Sequence, residues 1–293
     1  MFEKVLICTD FADGLHRLTQ FVDSLKHSGI QEIVFLHVVP LWEKGIIPHV
    51  DDEKVEAAKL ELTKAIDENI THLAVKIEVQ SGKPVDTILK VAQAHNSQLI
   101  ILGSQSRSIL TEKLVGSTMA DLSRQTKIPL LVLRPQLMAV YTAEELSLRC
   151  QNLFRSLLIP YNDSKPANYV LETVKELAQE QSQRYLQECQ LCWLLDQSNR
   201  HPSPRQVLLP QVEEKLSQIK AELESVKLEV KTQVLEGSTV GEVLETAVMA
   251  DISAIAVSSG TIGKLQEWLV SSFAAEILRQ SCYPVLFLPM SES

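Results

Sequence analysis

Val75-Lys-Ile-Glu-Val-Gln-Ser-Gly82 is followed, 155 residues later, by Val230-Lys-Thr-Gln-Val-Leu-Glu-Gly237. The same offset continues without a gap, so that Ile128-Pro-Leu-Leu-Val-Leu133 aligns with Tyr283-Pro-Val-Leu-Phe-Leu288. A fixed offset sustained over such a distance indicates an internal duplication. The 293-residue chain is therefore predicted to contain two copies of one unit, each long enough to bury its own core.

The boundaries of the copies follow from the alignment at their front. There the offset falls to 152, and Leu6-Ile-Cys-Thr-Asp10 aligns with Leu158-Ile-Pro-Tyr-Asn162. We predict a first domain over 1–138, a linker over 139–152 and a second domain over 153–293. Within the linker, Thr142 stands three residues before Glu145, a spacing typical of a helix-capping box. Asn199–Pro204 is predicted to be an exposed loop because of its prolines and polar residues.

Each copy alternates short apolar runs with helical periods. In copy one the predicted strands are Val5–Thr9, Ile33–Val39, Val75–Val79, Leu99–Leu102 and Leu130–Leu133. These runs are apolar at consecutive positions, as in strands that are covered on both faces. The intervening segments have helical periodicity, and the fourth helix is predicted to run from about Gly116 to Gln125. This alternation predicts a doubly wound α/β fold with a five-stranded parallel sheet in each copy.

Composition and charge disfavour a nucleic-acid-binding, secreted or membrane-spanning protein. The formal charge of −9 disfavours a nucleic-acid partner, because a phosphate backbone would be repelled. The apolar run at the N-terminus is too short for a signal peptide, and no stretch has the length of a membrane span. Four of the five cysteines lie in or beside apolar runs, which indicates buried free thiols. We therefore expect a cytoplasmic protein that uses neither nucleic acid nor membrane.

Residues suited to phosphate binding stand at two predicted strand ends. The first strand ends in Thr9-Asp10, and the fourth ends in Gly103-Ser-Gln-Ser106-Arg107, followed by Gly116-Ser117-Thr118 at a helix start. Ligands of open α/β sheets bind beyond the carboxyl ends of the strands. Glycine lets the backbone approach a ligand closely, and the free amides of a helix N-terminus attract phosphate. Hydroxyl and guanidinium groups add further donors.

These residues, taken together, resemble a universal stress protein domain. The resemblance is carried by Ile7-Cys-Thr-Asp10-Phe-Ala-Asp13, Leu36-His37-Val38, Gly82-x-Pro84 and Gly103-x2-Ser106-x9-Gly116-Ser117, and it extends over both copies. It implies a Rossmann-like fold of the adenine-nucleotide alpha-hydrolase-like kind with strand order 3-2-1-4-5. It also implies a bound ATP or AMP, with or without Mg²⁺, and pairing of the two domains within the chain through their fifth strands.

The resemblance assigns roles to individual residues of copy one. Asp10 would accept hydrogen bonds from the ribose, and the backbone of Val38 would bind the base. The phosphates would be held by Gly103, Ser106, Gly116, Ser117 and Thr118, and the neighbouring Thr9, Leu102 and Arg107 complete the predicted site. Ser106 departs from the family pattern, which has glycine there.

Copy two departs from this pattern more widely. Asn162, Ser258, Thr261 and Ser271 stand in place of Asp10, Gly103, Ser106 and Gly116. We therefore expect a nucleotide site in copy one alone, with copy two as its structural partner. The predicted function is that of a regulatory binding module, and no catalytic residue is predicted.

Several alternatives remain open at this point. Asp10 could serve only to cap the following helix, and Gly103 and Gly116 could serve only turn geometry. His37 at a strand end favours a structural role over that of a base. The whole protein could instead be a scaffold that binds no nucleotide and recognises a protein partner, or a weak ATPase. The sequence does not decide whether two chains form a homodimer.

Overall fold

The structure is a computed structural model of the 293-residue chain. It describes residues 1–41, 49–64, 66, 73–103, 117–140, 142–195, 202–236, 240–258 and 272–290. The chain divides into two compact units, Phe2–Leu153 and Phe154–Ser293.

The first unit contains a five-stranded sheet with helices between its strands. The strands are β1 (Lys4–Cys8), β2 (Glu32–Val39), β3 (Ala74–Ser81), β4 (Leu99–Gly103) and β5 (Leu130–Leu133). The helices are α1 (Val22–Lys26), α2 (Asp52–Lys64), α3 (Pro84–Ala94), α4 (Ser117–Gln125), α5 (Pro135–Met138) and α6 (Ala143–Gln151). The strand order is β3-β2-β1-β4-β5, and the paired strands are parallel, which confirms the predicted fold.

The order of the strands places their carboxyl ends together. The sheet grows from β1 towards β2 and β3, then reverses to β4 on the other side of β1. Cys8 is in register with both Leu36 of β2 and Leu102 of β4. The residues that follow these three positions therefore meet at one edge of the sheet, at the reversal point where α/β proteins bind ligands.

The central strand is stable here because it is apolar on both faces. Leu6 and Ile7 have no exposed surface, and the same is true of Ile100 and Ile101 on the neighbouring β4. Burial of such side chains stabilises the sheet by roughly 1.5–3 kcal/mol each.

The first helical segment differs from the expected regular helix. Residues Leu15–Phe21 form a 3₁₀ helix that continues into α1. Gly14 precedes it with a left-handed backbone (φ 78°) and provides no side-chain cap. Leu15 and Leu25 are both buried, so the segment turns an apolar face towards the core.

The second unit repeats this architecture. Its strands are β6 (Ser156–Tyr161), β7 (Glu188–Leu195), β8 (Glu229–Glu236), β9 (Ala254–Val257) and β10 (Val285–Phe287). Its helices are α7 (Lys165–Glu180), α8 (Pro202–Ser225), α9 (Val240–Met249) and α10 (Phe273–Gln280). The order β8-β7-β6-β9-β10 is that of the first unit, with parallel pairing throughout.

The predicted loop at Asn199–Pro204 is wrong in its second half. Residues 199–201 lie outside the described residues, whereas α8 begins at Pro202 and includes Pro204. The first turn of a helix does not need its backbone N–H groups for internal bonds, so prolines are compatible with that position.

Residues 135–151 pack within the first unit. Helices α5 and α6 contact the 3₁₀ helix, and α6 also contacts α1. The Thr142 hydroxyl accepts a hydrogen bond from the Glu145 amide at 3.2 Å, which confirms the predicted cap of α6. The domain limits 1–138, 139–152 and 153–293 remain a prediction.

None of the helices in the described ranges combines the length and apolarity that crossing a bilayer requires.

Candidate functional site

The chain leaves β1 in a tight turn that contains Asp10. Phe11 has a left-handed backbone (φ 63°), an uncommon conformation for a bulky residue. The exposed carboxylate of Asp10 accepts hydrogen bonds from the amides of Ala12 and Asp13, at 2.9 and 3.0 Å. Asp10 therefore caps this turn and not the 3₁₀ helix, whose capping residue is Gly14. Its carboxylate is presented at the carboxyl end of β1.

The same turn buries a second carboxylate, that of Asp13. Asp13 accepts hydrogen bonds from the Thr9 hydroxyl at 2.8 Å and the Leu15 amide at 2.9 Å, with a longer contact of 3.4 Å from the Asp10 amide. Burial raises the pKa of Asp13, the bonds from Leu15 and Thr9 oppose the increase, and the nearby Asp10 charge adds to it.

Gly103 ends β4 directly against Asp13. A Cβ atom at Gly103 would lie 2.3 Å from the Asp13 Cβ and 2.5 Å from its Oδ2, closer than atoms can approach without displacement. The glycine is therefore required by the Asp13 side chain, whether or not a ligand approaches its backbone. Leu102, immediately before it, is a buried strand residue.

His37 joins the ends of β1 and β2. Its Nδ1 lies 2.8 Å from the Thr9 carbonyl oxygen, which can only accept, so Nδ1 carries the proton. The ring also packs on Phe11, with centroids 4.6 Å apart. These contacts give His37 a structural role at the site.

The backbone of Val38 faces the space beyond β1. The Thr9 amide donates to the Leu36 carbonyl, and the Gly82 amide donates to that of Val39, so Leu36 faces β1 and Val39 faces β3. Residues alternate in direction along a strand, so Val38 directs its N–H and C=O towards β1. Because β1 pairs with β2 only as far as Cys8, these groups lie beside the departing turn.

The first turn of α4 supplies the predicted hydroxyl groups. Ser117 is exposed and Thr118 is half-buried. Both line a cleft of about 390 Å³ between the start of α3 and one side of α4, together with Lys83, Asp86 and Asp121 among others. The predicted phosphate residues Ser106, Arg107 and Gly116 lie outside the described residues.

In repeat two, the turn after β6 has a similar backbone to the turn after β1, but different side chains surround it. Asp163 has φ 59°, close to the value at the equivalent Phe11. The preceding Tyr161, which stands where repeat one has Thr9, is 1% exposed and packs edge-on against Trp193 with centroids 5.1 Å apart. Its hydroxyl lies 3.0 Å from the carboxylate of Asp163 and 2.6 Å from Asn168 Oδ1. A large side chain therefore occupies the carboxyl end of β6.

Further positions around this strand end also differ between the repeats. The Ser258 hydroxyl, at the position of Gly103, donates to the Leu288 carbonyl at 2.6 Å. Lys165 stands where repeat one has Asp13, at the first position of α7. Asp163 forms an ion pair with Lys215 of α8, which lowers its pKa.

The family model for universal stress proteins matches residues 1–134 and 153–289, one match for each repeat. The chain belongs to the universal stress protein family. A universal stress protein of Methanocaldococcus jannaschii is 24% identical over 46% of this chain and 96% of its own length.

Two solved structures share the tandem fold of this universal stress protein. One, a universal stress protein from Archaeoglobus fulgidus, has a TM-score of 0.68 and 18% identity, with 99% of each chain covered. The other, a functionally unknown protein from Pseudomonas aeruginosa, has a TM-score of 0.62 and 12% identity, over 98% of this chain and 92% of its own. At these identities the likeness concerns the fold.

Sequence reasoning assigned no role to Asp13 or Tyr161 in this universal stress protein. Asp13 belongs to the stretch that carries the family resemblance, and its place three residues after Asp10 signals a carboxylate that can turn back on the strand end. The signal for Tyr161 is its alignment with Thr9, because a bulky ring replaces a small hydroxyl at the strand end.

Repeat one contains several kinds of donor and acceptor that are used in nucleotide recognition. A carboxylate accepts from ribose hydroxyls, a backbone N–H and C=O pair matches the edge of adenine, and a helix N-terminus with two hydroxyls suits phosphate. Asp10 follows β1 and Val38 lies near the carboxyl end of β2, whereas Ser117 and Thr118 begin α4.

Proposed function

We propose that this universal stress protein is a regulatory module that binds one adenine nucleotide, ATP or AMP, in repeat one. Repeat two serves as its structural partner. The observation that carries the proposal is that the Asp10 carboxylate and the backbone of Val38 both lie past the last residue pair of β1 and β2, Cys8 and Leu36. A carboxylate and a backbone N–H and C=O pair match the donors and acceptors of adenosine.

Each part of the nucleotide has a partner in this proposal. The ribose hydroxyls donate to Asp10, and the adenine edge exchanges hydrogen bonds with the N–H and C=O of Val38. The phosphates lie at the N-terminus of α4, where amide dipoles and the hydroxyls of Ser117 and Thr118 stabilise negative charge. Gly103, Ser106, Arg107 and Gly116 belong to the same proposed phosphate site.

The corresponding strand end of repeat two lacks the groups proposed to bind the nucleotide in repeat one. Tyr161 is buried at the corresponding strand end, and Asn162 offers an amide where repeat one has the Asp10 carboxylate. The ion pair of Asp163 with Lys215 adds a charged contact to the same turn. We infer that repeat two binds no adenine nucleotide and that the asymmetry leaves one site per chain.

The direct test is calorimetric titration of nucleotide-stripped protein with AMP and ATP. Asp10→Ala removes a hydrogen bond to a charged group, so the dissociation constant is expected to rise by roughly 10- to 150-fold. Asn162→Ala, the matched change in repeat two, should leave affinity unchanged. Equal affinities of wild type and Asp10→Ala would overturn the proposed ribose contact. A folded wild type that binds no nucleotide would favour the scaffold alternative.

Weak ATP hydrolysis would be a different activity at the same site. It is tested by phosphate release from bound ATP over hours, with Asp10→Ala as control. Release at the wild-type rate in this variant, with ATP near the dissociation constant of wild type, would have to arise elsewhere.

A further inference from the structure

The buried carboxylate of Asp13 takes no part in the nucleotide contacts proposed above. Within the described residues no other acidic or basic side chain is as fully buried, since Asp13 is only 4% exposed. A charged group that is removed from water needs several hydrogen bonds to remain there. Asp13 receives them from the Thr9 hydroxyl and the Leu15 amide, with the longer contact from the Asp10 amide.

These bonds tie the two halves of the candidate site together. On one side Asp13 fixes the turn from Thr9 to Leu15, which carries the Asp10 carboxylate. On the other side its Cβ and carboxylate fill the space beside Gly103, the last residue of β4. The turn proposed to bind ribose and the strand end proposed to border the phosphates are therefore in contact through Asp13.

Repeat two lacks both members of this contact. Lys165 replaces Asp13, and Ser258 replaces Gly103 with a side chain that the Asp13 arrangement would not admit. The Ser258 hydroxyl is bonded to the Leu288 carbonyl instead. The two positions have changed together in the repeat that we infer to bind no nucleotide.

We propose that Asp13 is a positioning residue of the nucleotide site, which holds the turn carrying Asp10 against Gly103 without contacting the nucleotide itself. The inference rests on the proposed function. Because the bonds to Asp13 exist before a ligand arrives, they preorganise Asp10 and reduce the entropy lost on binding. The Thr9 hydroxyl takes part as a donor to Asp13 and as an acceptor from the Phe11 amide at 3.0 Å.

The test compares ATP affinity in variants of this contact. Asp13→Ala leaves the Thr9 and Leu15 donors without their acceptor, and Thr9→Val leaves the Asp13 carboxylate without one of its donors. Both variants are expected to weaken binding roughly tenfold or more, because the turn loses its anchor. Thr9→Ser keeps the hydroxyl and should recover most of the affinity lost in Thr9→Val. Lys165→Ala, the matched change in repeat two, should bind as wild type does.

Hydrogen exchange provides a readout that does not depend on the nucleotide. In Asp13→Ala without ligand, the Leu15 amide and its neighbours in the turn should exchange faster, while peptides from β7 and β8 keep the wild-type rate. If Asp13→Ala misfolds, Thr9→Val and Thr9→Ser can be compared instead, because they differ in the hydroxyl group that bonds to Asp13.

The outcomes separate this inference from the proposed function. Wild-type protein that binds ATP, with Asp13→Ala and Thr9→Val binding equally well, would overturn the role of Asp13 alone. Folded wild-type protein that binds no ATP would overturn both.

Discussion

Phe11 and Asp163 occupy the same place in the two repeats, and both have a left-handed backbone, with φ 63° and 59°. The turn after the first strand has therefore kept its shape while its chemistry diverged. Aspartate tolerates this conformation because its short polar side chain bonds locally, whereas phenylalanine adopts it at a cost of about 1–3 kcal/mol. In repeat one, the ring contact of Phe11 with His37 accompanies the strain.

Substitution of Asp163 tests whether the backbone shape is required. Asp163→Val places a β-branched side chain in the left-handed region and should lower the free energy of unfolding by roughly 1–3 kcal/mol. Asp163→Asn retains an acceptor for Tyr161 and suits the backbone, so it should lose less than about 1 kcal/mol, the value of an exposed ion pair. Urea unfolding of both variants measures the difference, and equal losses would contradict the account.

Gly103→Ala is expected to destabilise the first unit by roughly 1–3 kcal/mol, because the new methyl group overlaps Asp13. Asp13→Gly removes the overlapping atoms, so the double variant should lose less than the sum of the two single losses. Ser258→Ala in repeat two should lose only about 1 kcal/mol, the value of one hydrogen bond. Additive losses in chemical unfolding would show that the two residues do not collide.

The stability of the protein should depend on pH through Asp13. Burial raises the pKa of Asp13 in the folded state, so the folded protein holds this proton more tightly than the unfolded chain. The corresponding stability is present below the unfolded pKa of about 3.9 and is lost as pH rises through the folded value. The free energy of unfolding of wild type, relative to Asp13→Asn, should therefore fall as pH rises from about 3 towards neutrality.

The comparison with Asp13→Asn removes the titration of groups that both proteins share. Unfolding in urea at a series of pH values gives the difference directly. A difference that stays constant, or that grows in favour of wild type with rising pH, would contradict the assigned direction.

The buried thiols should be unreactive in the native protein. Burial raises the pKa of Cys189 to about 12 and that of Cys192 to about 11, so the reactive thiolate is scarce at neutral pH. Cys282 is exposed. Alkylation at pH 8 followed by mass spectrometry should label one thiol in native protein and five in urea, with none in native Cys282→Ser. Rapid native labelling of Cys189 would contradict its burial.

The sheet could be predicted from the sequence because both faces of its strands are covered. Consecutive apolar residues such as Leu130–Leu133 are most stable in a strand that is covered on both faces, and this strand has the predicted bounds. The internal offset then determined that the second unit repeats the first. The Thr142 cap was predictable because its chemistry is local.

The interior of the candidate site could not be predicted in the same way. The contact of Asp13 with Gly103 joins residues 90 positions apart. It also depends on the left-handed backbone of Phe11, a conformation that a phenylalanine side chain does not predict. The start of α8 was misassigned because Pro202 and Pro204 disrupt a helix interior but not its first turn. Tertiary context determined the roles of Asp13 and Gly103, whereas position within the helix determined that of the two prolines.

The central claim is that one repeat of the two binds an adenine nucleotide, and native mass spectrometry during an ATP titration counts the ligands on each chain. The account predicts a single adduct of one ATP per 293-residue chain that saturates, weakens in Asp10→Ala and persists in Asn162→Ala. Two specific adducts per chain, or none on the folded protein, would contradict it.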